Sequence, residues 1–113
     1  MADRPELLDY VAFFEVEPEW VHPDGWYCGA RFRTQRGSDL VVATVAPDEA
    51  EFSVQWWQGE VSRTKFQSVM VCAWELECSP GRELLRVRFS DERLKFCVLH
   101  LKPHVSVEWA MTW

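Results

Sequence analysis

Between residues 26 and 57 apolar and polar positions alternate with a period of two, which is typical of half-buried β-strands. The alternation predicts strands over residues 26–34, 39–46 and 51–57, with turns at 35–38 and 47–50. Folding the chain about these turns sets apolar residues opposite one another, so one apolar face crosses three strands. The predicted pairs are Phe32 with Val41, Ala30 with Ala43, Cys28 with Val45, Val45 with Phe52, Ala43 with Val54, and Val41 with Trp56.

The C-terminal half predicts a second meander. Residues 67–78 read as one long strand, and further strands follow turns at 79–82 and 90–93. In the pairing across the turn at 90–93, Arg88 would lie opposite Lys95. This like-charge pair argues against that register. The predicted pairs are Trp74 with Val87, Leu76 with Leu85, Glu75 with Arg86, Phe89 with Leu94, Val87 with Phe96, and Leu85 with Val98.

The remaining segments are less regular. Pro103 is expected to interrupt the chain, and residues 104–109 read as a last strand with Val105, Val107 and Trp109 on one face. Residues 58–66 fit either a loop or a short strand. Residues 5–14 fit a helix, although a strand could begin near its end. As a helix, the segment would have Asp3 as its cap and an apolar side formed by Leu7, Leu8, Val11 and Phe14.

Two meanders with one apolar face each must cover those faces, which predicts a mainly β fold. Antiparallel meanders would form a β-sandwich or a barrel, with one short N-terminal helix as a possible addition. The length of 113 residues fits a single domain over residues 1–113. Seven Trp and seven Phe favour a core filled by bulky aromatic side chains.

Targeting and redox signals are sparse. No stretch approaches the roughly 20 apolar residues that span a bilayer, and the first residues lack the basic and apolar regions of a secretory signal. We therefore expect a cytoplasmic protein without a membrane partner. The four cysteines form no C-x-x-C pair, which favours reduced thiols acting as small hydrophobes over zinc ligands, with a disulfide as the alternative.

Charge is distributed unevenly. Residues 1–24 hold seven acids and one base, which accounts for the whole formal net charge of −6, while residues 25–113 hold eleven of each sign. An acidic, aromatic-bearing segment suits docking to a basic protein, and phosphates would be repelled, so no nucleic-acid partner is expected. A solvated acidic segment that only aids solubility is the alternative. The candidate partner-binding residues are Asp9, Tyr10, Glu15, Glu17, Glu19, Trp20, His22 and Asp24.

Catalytic and cofactor chemistry has little support. His100 and His104 lie four residues apart in a strand-like stretch, a separation of roughly 13 Å that does not suit one metal ion. His22 sits beside an acid and two aromatics in a loop, where an ordinary histidine is the simpler interpretation. No glycine-rich phosphate loop or nucleophile elbow is present, so neither a catalytic residue nor a cofactor is predicted. Asp48 and Glu49 read as turn acids.

The size, acidity and meandering strands, with a C-terminal pattern at residues 94–101, resemble small acidic β-rich immunity proteins of bacterial polymorphic toxin systems. That resemblance implies a non-enzymatic inhibitor that binds a cognate toxin or effector; phage-encoded inhibitors of bacterial defence share the same gross features. The alternative function is a small-ligand binder whose pocket would be lined by Trp56, Trp57 or Trp74.

Overall fold

Two antiparallel sheets face each other and enclose an aromatic core. The computed structural model describes residues 5–90 and 94–111. The sheets do not close into a barrel, so the sandwich is the fold formed, and the mainly β class is confirmed. One sheet has the order β1-β2-β3-β4-β5 and the other the order β6-β7-β8-β9. The elements are α1 (Leu7–Phe14), β1 (Trp20–Val21), β2 (Ala30–Arg36), β3 (Asp39–Ala46), β4 (Glu51–Gln58), β5 (Val61–Ser68), β6 (Val71–Ser79), β7 (Arg82–Phe89), β8 (Leu94–Lys102) and β9 (Ser106–Met111).

The first sheet keeps the predicted apolar face, with one correction of register. The β3–β4 pairs are confirmed, Val45 lying opposite Phe52. The β2–β3 register is shifted by two residues, so Phe32 lies opposite Ala43 and not Val41. The turn is shorter than predicted because Gly37, at φ 64°, supports a two-residue connection. A shift of two leaves every side chain on its predicted face.

The predicted first strand also begins later than expected. Trp26–Cys28 is a 3₁₀ turn, which we name the first 3₁₀ turn, and β2 starts only at Ala30. Cys28 therefore does not pair with Val45, which lies opposite Ala30. A second 3₁₀ turn, Pro47–Glu49, connects β3 to β4.

The prediction of one long strand over residues 67–78 is wrong. Ser68 is the last residue of β5 paired with β4, and β6 begins at Val71 in the other sheet. Val69 and Met70 carry the chain across, with Met70 in the left-handed region at φ 70°. The Val71 amide then donates to the Ala50 carbonyl at 2.9 Å, which ties the crossover to the β3–β4 connection.

The second sheet confirms one predicted register and corrects the next. Trp74 lies opposite Val87, as predicted. The β7–β8 register is displaced by one residue, so Leu85 lies opposite Leu99 and not Val98. This shift places Phe96 opposite Arg88 and thereby removes the predicted like-charge pair with Lys95. The inner face of β8 is formed by Cys97, Leu99 and Leu101, while part of the predicted turn, residues 91–93, lies outside the described residues.

Aromatic contacts join the sheets and close one side. Phe52 of β4 meets Trp74 of β6 edge to face, with ring centroids 6.1 Å apart. At the β5 and β9 edges, Phe66 packs against Trp109 at 5.5 Å. Burial of these rings removes much apolar area from water and holds the two layers in register.

The N-terminal segment forms a helix that closes the other side. Phe14 stacks on Phe32 of β2 at 4.7 Å, and α1 also contacts β6. Its buried face consists of Tyr10, Phe13 and Phe14; Leu8, predicted to face the core, is largely exposed. Glu6 is the N-cap residue, and the predicted cap Asp3 lies outside the described residues. Among the described residues no helix is long and apolar enough to cross a membrane.

Candidate functional site

The eight residues expected to bind a partner are placed in very different environments. Tyr10 is fully buried, with its ring 5.8 Å from Trp26 and 6.3 Å from Phe32. It therefore stabilises the core and presents no surface to a partner. Asp9 remains exposed, and its carboxylate accepts a hydrogen bond of 2.7 Å from the Glu6 amide at the start of α1.

The charge of Glu15 is neutralised by two basic side chains of the β-sandwich, Lys102 and Arg36. Its carboxylate accepts a hydrogen bond of 3.1 Å from Lys102 Nζ and lies 3.7 Å from Arg36 Nη2. The Lys102 hydrogen bond, with the charge of Arg36, lowers the pKa of Glu15 below its usual range. Arg36 also donates to the Phe14 carbonyl at 3.2 Å, so this ion pair belongs to the C-terminal end of α1.

Glu19 is neutralised in the same way. It receives hydrogen bonds of 2.9 Å from the Nε atoms of both Arg33 and Arg31. The Arg33 hydrogen bond is the largest of the effects that lower the pKa of Glu19. Arg31 additionally lies over the Trp20 ring, 5.4 Å from its centroid. The carboxylates of Glu15 and Glu19 are therefore both engaged in ion pairs within the chain.

The loop from Trp20 to Gly29 keeps its side chains accessible. Trp20 is 38% exposed and Tyr27 43% exposed. Both rings rest on glycines, because a Cβ at Gly29 would lie 2.9 Å from the Trp20 ring and one at Gly25 2.9 Å from the Tyr27 ring. The loop is also held by His22, whose Nδ1 accepts a hydrogen bond of 3.0 Å from the Asp24 amide.

Asp48 and Glu49, which the sequence pattern assigned to an ordinary turn, lie near this loop. Burial is the main effect that raises the pKa of the Cys28 thiol, and the nearby charges of Glu49, Asp24 and Asp48 raise it further. The two 3₁₀ turns are in contact, and Asp24, Asp48 and Glu49, from two distant parts of the chain, lie around Cys28 of the first turn. The grouping follows from the observed registers β1–β2 and β2–β3, which align Val21, Ala30 and Val45.

Groups suited to catalysis are dispersed. His100 Nε2 lies 3.3 Å from Glu108 Oε1 on the outer face of the second sheet, and His22 Nδ1 lies 4.0 Å from Asp24. A hollow of about 210 Å³ on the outer face of the first sheet, lined in part by Arg31, contains neither a histidine nor a tryptophan. Within residues 5–90 and 94–111, no group of three or more His, Cys, Asp or Glu side chains could hold a metal ion.

The four cysteines are free thiols and differ in exposure. Cys97 is buried in the core, and burial raises its pKa to about 12. Cys72 and Cys78 are exposed, contrary to the core positions expected for them. An irregularity in the β6–β7 pairing between Val71 and Ala73 accounts for Cys72, because it interrupts the strict alternation of faces.

The geometry defines a class, an antiparallel β-sandwich with a helix along one side and an acidic, aromatic surface at one end. A solved structure shares this fold: a chain of the contact-dependent growth inhibition toxin–immunity protein complex from Klebsiella pneumoniae 342 matches with a TM-score of 0.82. The match covers 97% of this chain and 96% of the other at 12% sequence identity, so it establishes a common fold. No protein-family model and no curated protein matches the sequence. The structural match agrees in fold with the resemblance that the sequence indicated.

Proposed function

We propose that this chain is a non-enzymatic immunity-type inhibitor that binds a cognate toxin in the bacterial cytoplasm. The observation that carries the proposal is the match of the whole fold to a chain of a toxin–immunity complex. Because fold alone does not determine function, the proposal also rests on surface chemistry. The histidines that a catalytic site would need lie on an open sheet face and in a loop, apart from the hollow on the first sheet.

The proposed partner surface is basic. Of the leading residues, Glu17, Trp20, His22 and Asp24 remain candidates for contact, with Asp9 at the start of α1. Tyr10 acts from the core, and Glu15 and Glu19 act within intramolecular ion pairs. Carboxylates beside partly exposed aromatics would steer a cationic partner and supply desolvated anchors.

A small-ligand function has less support. Trp74 is buried against Phe52 between the sheets, so it fills the core where a cavity would have to lie. Trp56 is engaged by a hydrogen bond of 2.9 Å from its Nε1 to Asp39. Neither side chain lines the hollow on the first sheet.

The experiment is growth protection. The product of the gene that neighbours this chain's gene, taken as the candidate toxin domain, is induced in a heterologous bacterium with and without co-expression of the chain. We expect the toxin domain alone to arrest growth and the chain to restore it, with both proteins purifying as one complex. A noncognate toxin domain of the same size serves as control and should remain toxic.

Two results would overturn the proposal. One is growth arrest that the chain does not relieve although it is folded and abundant. The other is protection against the noncognate toxin domain as well, because a general effect of this kind does not require specific binding.

A further inference from the structure

One end of the first sheet collects segments that are far apart in sequence. The backbone register aligns Val21, Ala30, Val45, Phe52 and Ser68 in a single row across β1 to β5. We name residues 20–29, 46–51 and 68–71 the acidic end of the sandwich; they comprise Trp20, Val21 and Ser68 at the strand ends and the connections beyond the row. Four steps between neighbouring strands make the row about 19 Å wide.

The connections are held together by backbone hydrogen bonds. The Val71 amide donates to the Ala50 carbonyl, and the Ser90 amide donates to the Met70 carbonyl, each at 2.9 Å. The first and second 3₁₀ turns are also in contact. The acidic end is therefore one surface built on strand ends, and not a set of independent loops.

Apolar side chains are exposed across this surface. Val21 and Tyr27 are 40% and 43% exposed at one corner, and Val69 and Met70 are 53% and 48% exposed at the other. Met70 is notable because its φ of 70° is unfavourable for a side chain with a Cβ. Solvent-facing apolar residues concentrated at one end, rimmed by polar groups, are typical of a protein interaction surface.

The charge of the acidic end has one sign. Residues 20–29, 46–51 and 68–71 contain Asp24, Asp48, Glu49 and Glu51 and no lysine or arginine. Arg31 and Arg33 project from β2; the Arg31 guanidinium lies over the Trp20 ring, where its charge is paired with Glu19. A surface that combines apolar anchors with net negative charge is complementary to an apolar patch bordered by lysine or arginine.

We propose that the acidic end of the sandwich is the surface that binds the toxin, and that the toxin contributes a basic, apolar face to it. This rests on the proposed function and changes the location of the interface. The contact surface is a composite of three connections, of which the N-terminal segment supplies only residues 20–24. Val69 and Met70 are anchors within it, and Asp24 and Glu49 provide charge steering.

The test is titration calorimetry of purified chain variants with the same candidate toxin domain. Asp24→Lys and Glu49→Lys should each weaken binding about tenfold at low salt, with a smaller loss at high salt. Val69→Ser should weaken it roughly three- to tenfold. Met70→Gly should do the same without lowering the melting temperature, because glycine tolerates the left-handed backbone at this position.

Matched controls lie at the other end of the same sheet. Glu60→Lys changes the net charge as much as Asp24→Lys, and Val61 is 55% exposed, close to the value for Val69. Glu60→Lys and Val61→Ser should leave the dissociation constant within about twofold of wild type.

The outcomes separate the two proposals. Equal effects of the two sets of variants, with tight wild-type binding, would overturn the acidic end as the interface and leave the inhibitor function standing. Absence of wild-type binding to the toxin domain would overturn both. Loss of affinity confined to the acidic-end variants, including the stably folded Met70→Gly, supports the inference.

Discussion

At the residue scale, carboxylates of the N-terminal segment divide into structural and available groups. Glu15 and Glu19 lie within 3.1 Å of basic side chains of the β body, and these contacts lower the pKa of both. Among residues 5–90 and 94–111, no lysine or arginine pairs with Asp24; its carboxylate lies 4.0 Å from His22 Nδ1, and its side chain is 82% exposed. Counting charges along the sequence could not separate these roles, because Lys102 and the arginines of β2 come close to Glu15 and Glu19 only in the folded protein.

A pH titration of stability checks the role of Glu15. Its pKa in the folded protein lies below the ordinary value of 4.5, chiefly through the hydrogen bond from Lys102. The resulting stabilisation is present above the unfolded-state pKa and is lost as the pH falls through the folded-state pKa. We expect the free energy of unfolding, measured by urea denaturation, to fall less steeply for Glu15→Gln than for wild type between about pH 5 and pH 3. Superimposable pH profiles would contradict this role.

At the element scale, a strand register was predicted correctly where the centre of the turn was placed correctly. The β3–β4 and β6–β7 registers were predictable because apolar faces and recognisable turns agreed. The β2–β3 register moved by two residues because the turn was shorter than its polar composition indicated. The β7–β8 register moved by one, which exchanged the faces of β8, and only the unfavourable Arg88–Lys95 pairing had argued against the predicted alignment.

The helix was predictable as an element and its buried face in part: Phe14 is buried and Leu7 and Val11 pack against the core as predicted, whereas Leu8 is largely exposed. Tyr10, Phe13 and Phe14 form that face because α1 must fill the gap between β2 and β6, and the helical pattern alone also allowed Leu8. The start of α1 is stabilised by a capping box, in which the Asp9 carboxylate accepts a hydrogen bond from the Glu6 amide.

Removing this cap tests how α1 is held. Asp9→Ala should lower the free energy of unfolding by about 1 kcal/mol, because it leaves the Glu6 amide without its acceptor. Asp9→Asn keeps an acceptor oxygen and should retain most of the stability, which makes it the matched control. Chemical denaturation followed by circular dichroism measures both values. Equal destabilisation by the two variants would show that charge, and not capping, is the contribution of Asp9.

At the scale of the whole molecule, aromatic contacts lie along the two sides of the sandwich, and exposed apolar side chains lie at its acidic end. Phe14 stacks on Phe32 on the side of α1, and on the opposite side Phe66 packs against Trp109, which is itself 46% exposed. At the acidic end, Val69 and Met70 are about half exposed. Exposed apolar side chains and acids therefore occur together at this end.

The class of fold was predictable from alternation alone, but the composite surface was not. Asp24 was identified from the sequence, whereas Glu49, Val69 and Met70 join it only through registers that span five strands. The match at 12% identity illustrates the same principle, because a sandwich can be kept by apolar alternation while surface residues change.

Hydrogen–deuterium exchange of the chain, free and bound to the toxin domain, tests the central claim most directly. The account predicts that binding slows exchange in residues 20–29, 46–51 and 68–71, while the turns near Gly37, Gly59 and Gly81 exchange as in the free protein. Protection confined to those three turns, or to the outer face of either sheet, would contradict it.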